Sequence, residues 1–231
     1  WANSAWSAII ITFIFARYFV DVLAPNQDIG TLYWTWTIGV SSLVAALLSP
    51  ILGSISDKSQ RSKLWLIFTT LIYSVIAFSF WFAEPNVLSL TLIIILIFIG
   101  NVSYEISQIF YNGQLKLITT KNNYAKLSGF AWGLGYVGTV TIFLIYYGIF
   151  FLPSEPIFGL DKSSYENIRI SFPITGIWIL LFSLPLFLTF KDPYQKVLGS
   201  KIKIKESFNE ILITFKDLQK YKNLIWFLIA R

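Results

Sequence analysis

The sequence predicts an all-α integral membrane protein: a bundle of six transmembrane helices followed by the start of a seventh span. Three observations lead there. Hydrophobic residues make up 55% of the 231 and charged residues only 13%, with a mean hydropathy of +0.65, whereas soluble domains carry about a quarter charged residues. The apolar residues fall in runs of the ~20 needed to cross a ~30 Å hydrocarbon core. The Lys and Arg residues gather in alternate connections between those runs.

The same composition excludes several function classes. With 21 Phe, 12 Tyr and 9 Trp, the apolar area is too great for a soluble body of this size to hide, and disorder is excluded too. Cys and His are both absent, which removes disulfides, thiolate chemistry and the commonest general base and metal ligand. We expect no cofactor, metal site or catalytic residue. The chain opens at Trp1 inside an apolar segment and ends at Arg231 a few residues into another. It therefore reads as part of a longer protein.

The six spans are expected at roughly 2–24, 31–55, 64–83, 87–113, 128–152 and 171–190. Turn chemistry separates them: Pro25-Asn26, Glu84-Pro85-Asn86, Lys121-Asn122-Asn123, Pro153 to Pro156, and Lys191-Asp192-Pro193. Transmembrane strands would be ~10 residues long and alternating, and these runs do not alternate. The bundle thus occupies 1–190, a linker 191–223, and a truncated seventh span 224–231.

Connections 56–63, 114–127 and 191–223 hold fourteen Lys and Arg, against two in 25–30, 84–86 and 153–170. The positive-inside rule then places the N-terminus and the long linker in the cytoplasm. Within the linker, Ile204, Phe208, Ile211, Phe215 and Leu218 recur at helical spacing among Lys residues. That pattern suits either an interfacial helix on anionic lipid or a helix packed on the inner ends of the spans. The net charge of +6 follows from this topology and gives no reason to expect nucleic acid.

Two patterns point to function. The connection after span 2 places Gly53, Asp57, Lys58, Arg61 and Lys63 in a tight basic turn, where a carboxylate can cap a neighbouring helix N-terminus. In span 4, Asn101, Glu105, Gln108 and Asn112 stand at steps of 4, 3 and 4, flanked by Tyr104 and Tyr111. A polar stripe facing hydrocarbon is costly, so this one faces protein or a water-filled path. It reads as a cavity wall, or else as interhelical glue.

The spacing Gly53-x3-Asp57-Lys58-x2-Arg61-x-Lys63 resembles the signature loop between helices 2 and 3 of the major facilitator superfamily, departing from it at Gln60 and Ser62. Further strings are similar to the vacuole-effluxer-like (autophagy-related) branch of that superfamily. They are Trp1-Ala-Asn3-Ser4-Ala, the Asn101 to Asn112 segment, Ser128 to Gly138, and Phe227-Leu-Ile-Ala-Arg231. The resemblance implies the amino half of a twelve-helix transporter with alternating access and amino-acid efflux. It also implies that the carboxyl half of the same chain is its partner. Abundant Ile, Lys and Asn fit an AT-rich genome, and a bacterial plasma membrane is expected ahead of a fungal vacuole.

On that basis the substrate site is expected at Arg17, Asn101, Tyr104 and Gln108, and the conformational switch at Gly53, Asp57, Lys58, Arg61 and Glu105. Counted along the spans, Arg17 lies ~12 Å below the far boundary, and ~15 Å from Glu105 in depth, too far for an ion pair. Glu105 lies within reach of Arg61 instead. Arg17 either enters the cavity to hold a substrate carboxylate or snorkels to the headgroups. Span 5, with Gly129, Gly133, Gly135, Gly138 and Gly148, is expected to pack closely on its neighbours. Trp34, Trp36, Trp81, Trp178 and Trp226 are expected in the interfacial belt.

A membrane enzyme would need a nucleophile–base pair or a metal cluster, and the acids show no paired spacing. A non-transporting receptor or scaffold with the same fold is the other alternative, against which the span 4 stripe argues.

Overall fold

The computed structural model describes residues 1–59, 61–85, 87–153 and 157–191. Six helices in it are long and apolar enough to cross a membrane: α1 Ala2–Leu23, α2 Gln27–Gly53, α3 Ser62–Phe82, α4 Leu90–Leu115, α5 Tyr124–Phe151 and α6 Glu166–Thr189. No strand occurs among the described residues. The protein is a multi-pass, all-helical membrane protein, with spans within a few residues of those the hydropathy predicts. The linker helix and the seventh span lie outside the described residues.

The helices alternate in direction. Lys63 at the start of α3 donates from Nζ to the Phe190 carbonyl just past α6, at 2.7 Å. That contact ties two of the elements meeting at the end of the bundle that also carries 56–63 and 114–127, here called the basic end. Helix α4 packs on α2 and α3, α3 also packs on α6, and α1 lies against α5 and α6 at the basic end.

Helix α1 supplies the centre. Its Ala5, Trp6, Ile9, Ile10, Phe15 and Phe19 are fully buried. At the far end the Phe15 ring stacks on Phe80 at 4.0 Å between centroids and meets Phe172 edge-on at 4.9 Å, the latter a T-shaped geometry that ring quadrupoles favour. Nearer the middle, Trp6 lies against α4 because position 100 is Gly. A Cβ there would fall 2.6 Å from the Trp6 indole. Helix α1 is not α-helical throughout: Trp6–Phe13 and Phe19–Leu23 are π-helical. Such stretches carry an extra residue per turn and recur at functional sites.

Polar side chains tie the helices where lipid could not. Tyr146 in α5 donates to the Ser171 carbonyl at 2.9 Å. Tyr18 in α1 donates to the Ala83 carbonyl at 2.7 Å. Arg169, 4% exposed, donates from Nη1 to Glu84 at 2.8 Å and to the Trp81 carbonyl at 3.1 Å. Its guanidinium lies 5.3 Å from the Trp81 ring. The outward faces of α2 and α5 remain apolar, as Trp36, Leu47, Phe130 and Leu144 illustrate, which suits hydrocarbon.

Two packing expectations need correction. Among the described residues nothing lies within 4 Å of a Cβ built at Gly129, Gly133, Gly135 or Gly148. Only Gly138 is in close approach, 2.9 Å from Ser4 Oγ and 3.3 Å from the Trp1 carbonyl. Within this half of the protein that stretch of α5 faces no neighbouring described helix. Trp178 is not a belt residue either: it stacks on Trp1 at 5.8 Å and donates to the Trp1 carbonyl at 3.3 Å.

A candidate solute cavity at the basic end

A cavity of about 560 Å³ opens at the basic end. Its walls come from the helix ends gathered there: the first turns of α1, the last turns of α4 and α6, and the first half of α5, with Leu66 and Thr70 of α3 behind them. On α4 the lining follows helical spacing, with Tyr104, Gln108, Tyr111, Asn112 and Leu115. On α5 the same spacing gives Ser128, Trp132, Gly135, Tyr136 and Thr139. Asn3, Ser4 and Ser7 come from α1, and Phe182, Ser183 and Phe187 from α6.

The hydrogen-bonding state of these groups differs around the wall. The Asn3 side-chain amide oxygen, Oδ1, accepts from the Tyr73 hydroxyl at 2.7 Å. Ser4 donates to the Trp1 carbonyl at 2.7 Å. Gln108 and Asn112 stand one turn apart on α4, each with a whole amide that no described residue engages. Tyr104 is braced by Trp6, stacked at 6.4 Å, and by Tyr73, edge-on at 5.8 Å. No described lining residue has a charged side chain.

The structure divides the expected substrate residues into two groups. Tyr104 and Gln108 line the cavity. Asn101 does not: it is 2% exposed and donates from Nδ2 to Ser41 Oγ at 2.8 Å and to Ser42 Oγ at 3.3 Å. It fastens α4 to α2. Arg17 is also elsewhere, forming an ion pair with Asp21 one turn on, with its side chain 72% exposed. The two line a separate groove of about 410 Å³ at the far end, with Tyr18, Phe151, Tyr165 and Ile168. Arg17 and Asn101 therefore do not share a cavity. The i,i+4 spacing of Arg17 and Asp21 was the sequence signal for that pair.

Of the expected switch residues, Glu105 is half-buried and Arg61 exposed, and no ion pair joins them. Gly53 lies within the helix that continues α2 to Ser59, with nothing among the described residues within 4 Å of its Cβ position. The Asp57 and Lys58 side chains lie outside the described residues. Helix ends on α1, α5 and α6 were not expected in the site. The repeat Ser128, Trp132, Tyr136 and Thr139 on α5 was the legible signal there, obscured by its glycines.

Comparison with known proteins follows the same outline. Residues 29–124 and 116–231 match the family described as vacuole effluxer Atg22 like. The chain belongs to this family. An uncharacterized MFS-type transporter of Bacillus subtilis (strain 168), YxiO, is 26% identical over 234 residues, covering 100% of this chain and 53% of that protein. The chain thus spans about half the length of the curated relative it matches. No solved structure matches it. Family membership and the relative agree with the sequence resemblance.

Proposed function

We propose that the full-length protein is a secondary transporter that moves a small solute by alternating access, with the basic-end cavity as its path through this half. One observation carries the reading: a bundle with apolar outer faces borders a polar-lined space in which the Gln108 and Asn112 amides have no partner among the described residues. Buried or membrane-embedded polar groups are ordinarily satisfied, and groups left free toward a cavity are suited to bind what passes through it. The Lys/Arg distribution supports a cytoplasmic basic end, so the cavity drawn here is the inward-facing one. Gly53, Asp57, Lys58 and Arg61 belong to the connection at that end. They serve the rocking of the halves, and the Lys-rich linker serves contact with anionic lipid.

Amino-acid efflux is the finer reading that family membership suggests, with the bacterial plasma membrane as its setting. With Arg17 at the far end, the carboxylate and ammonium of such a solute would take their partners from the carboxyl half. The test is counterflow in proteoliposomes holding the full-length protein. Saturable exchange of a small solute, with Asp57→Asn lowering the rate while affinity stays within a few-fold, is the expected result. Absence of exchange for every solute class would remove the transporter reading in favour of a receptor or scaffold.

A further inference from the structure

We propose that the hydroxyl of Tyr73, behind the cavity wall, fixes the Asn3 amide so that its N–H₂ group faces the cavity and donates to a carboxylate oxygen of the solute. Asn3 is then a solute-recognition residue and Tyr73 its positioning residue. This rests on the transporter reading with an amino-acid solute, and names a group on this half that meets it.

Tyr73 belongs to α3, is fully buried and does not itself line the cavity. Two residues it touches do line it. Its hydroxyl reaches Asn3 Oδ1 of α1 at 2.7 Å, and its ring meets Tyr104 of α4 edge-on at 5.8 Å. Trp6 of α1 meets the same ring edge-on at 5.4 Å. A ring wedged between α1 and α4 cannot swing without unpacking them. The hydroxyl therefore keeps a fixed place beside the first turn of α1.

The direction of that hydrogen bond decides what Asn3 offers. An amide has an acceptor oxygen at one end and two N–H donors at the other. A buried Tyr hydroxyl needs a partner for its proton. The 2.7 Å separation is the usual length of an O–H···O bond and shorter than the ~2.9–3.0 Å of N–H···O. Tyr73 is thus the donor, Oδ1 is held against α3, and the N–H₂ end is left toward the cavity that Asn3 lines. The neighbouring hydroxyls are spent in the opposite sense. Ser4 and Ser7 donate to the Trp1 and Ser4 carbonyls at 2.7 and 3.2 Å. Of these three lining side chains, Asn3 keeps its donors for the cavity.

A carboxylate only accepts, and a donor oriented in advance loses little freedom when it binds. Asn3 is neutral, so it directs the carboxylate while the counter-charge comes from the carboxyl half.

Counterflow of radiolabelled alanine, glutamate and lysine, each separately, in proteoliposomes holding the full-length protein tests this. For an amino acid that exchanges, Asn3→Asp should raise KM about tenfold or more, since it replaces the N–H₂ by a second acceptor at the same size. Tyr73→Phe removes the hydroxyl alone and should raise KM about three- to tenfold with kcat little changed. The double variant Asn3→Ala, Tyr73→Phe should have the KM of Asn3→Ala alone, because Tyr73 acts through Asn3. Monodispersity in detergent separates misfolding from lost recognition, with Asn3→Ala serving where Asn3→Asp does not fold. Tyr73→Phe that lowers the melting temperature and leaves KM unchanged marks a merely structural tyrosine and overturns the inference. Additive KM effects in the double variant overturn it too, as does an unchanged KM in both Asn3 variants. If no amino acid exchanges, the inference falls, and counterflow of the other solute classes decides the transporter reading separately.

Discussion

Arg169 holds Glu84 at 2.8 Å across the far end of the bundle, joining the turn after α3 to the first turn of α6. The pair is asymmetric: the Arg169 side chain is 5% exposed and that of Glu84 is 37%. Removing the acid leaves a buried cation with Glu166 Oε1, at 4.0 Å, as its remaining counter-charge, which costs more than losing an exposed pair. The Trp81 carbonyl and ring remain to it in part. Glu84→Ala should therefore lower stability by about 1–3 kcal/mol, read as a fall in the melting temperature of the full-length protein in detergent. Glu84→Gln keeps an acceptor and should lose less.

Asn101 should behave as a fastener. Its Nδ2 engages Ser41 and Ser42 of α2, and interhelical hydrogen bonds in membranes contribute about 0.5–2 kcal/mol. Asn101→Leu should lower the melting temperature while leaving solute KM within about twofold. A tenfold rise in KM with unchanged melting would return Asn101 to the solute path.

Arg17→Gln should leave both the KM and the preference between carboxylated and neutral solutes unchanged. The guanidinium belongs to the far-end groove and is already paired with Asp21. Transport of matched acid and amide solutes by the wild type and the variant measures this. A selective loss of the acid would place Arg17 on the route after all.

The connection between α5 and α6 carries a pH dependence. The Ser163 hydroxyl and backbone N–H donate to Asp161 at 2.6 and 2.7 Å, holding its carboxyl below the ordinary carboxylate range. A carboxyl so lowered binds its proton less readily when the turn is formed. The turn is firm above the ordinary value of 3.8 and loosens as pH falls through the lowered range. A spin label at Ser164→Cys, in a chain without native Cys, should grow more mobile on acidification. Asp161→Asn should abolish that response.

The spans were legible because each depends on the amount of apolar area and its interruption by Pro, Asn and charge, both of which are local. What a polar residue faces is not local. Asn101 and Gln108 are seven residues apart, nearly the same face of α4 on a 3.6-residue period, and the stripe was correctly read as one face. The cover over that face changes across the ~10 Å between them. At Asn101 it is Ser41 of α2, and at Gln108 it is open space. Periodicity gives the face of a helix, while the neighbour at each depth comes only with the tertiary arrangement. The α5 glycines failed for the same reason, since an absent side chain signals a close neighbour and an open cavity equally well.

The π-helical stretch Trp6–Phe13 divides α1 into two rotational phases. Each residue gained over the α-helical count turns everything beyond it by about 100° around the axis. Asn3 to Ser7 at one end and Arg17 to Asp21 at the other are consequently set by separate clocks, although hydropathy reads them as one continuous span. Substitution can alter what either group offers but cannot change their relative bearing. Deleting a single residue between Trp6 and Phe13 would return the stretch to α-helical winding and leave that bearing nearly as it is, whereas inserting one beyond Phe13 would swing the Arg17–Asp21 pair about 100° with respect to Asn3.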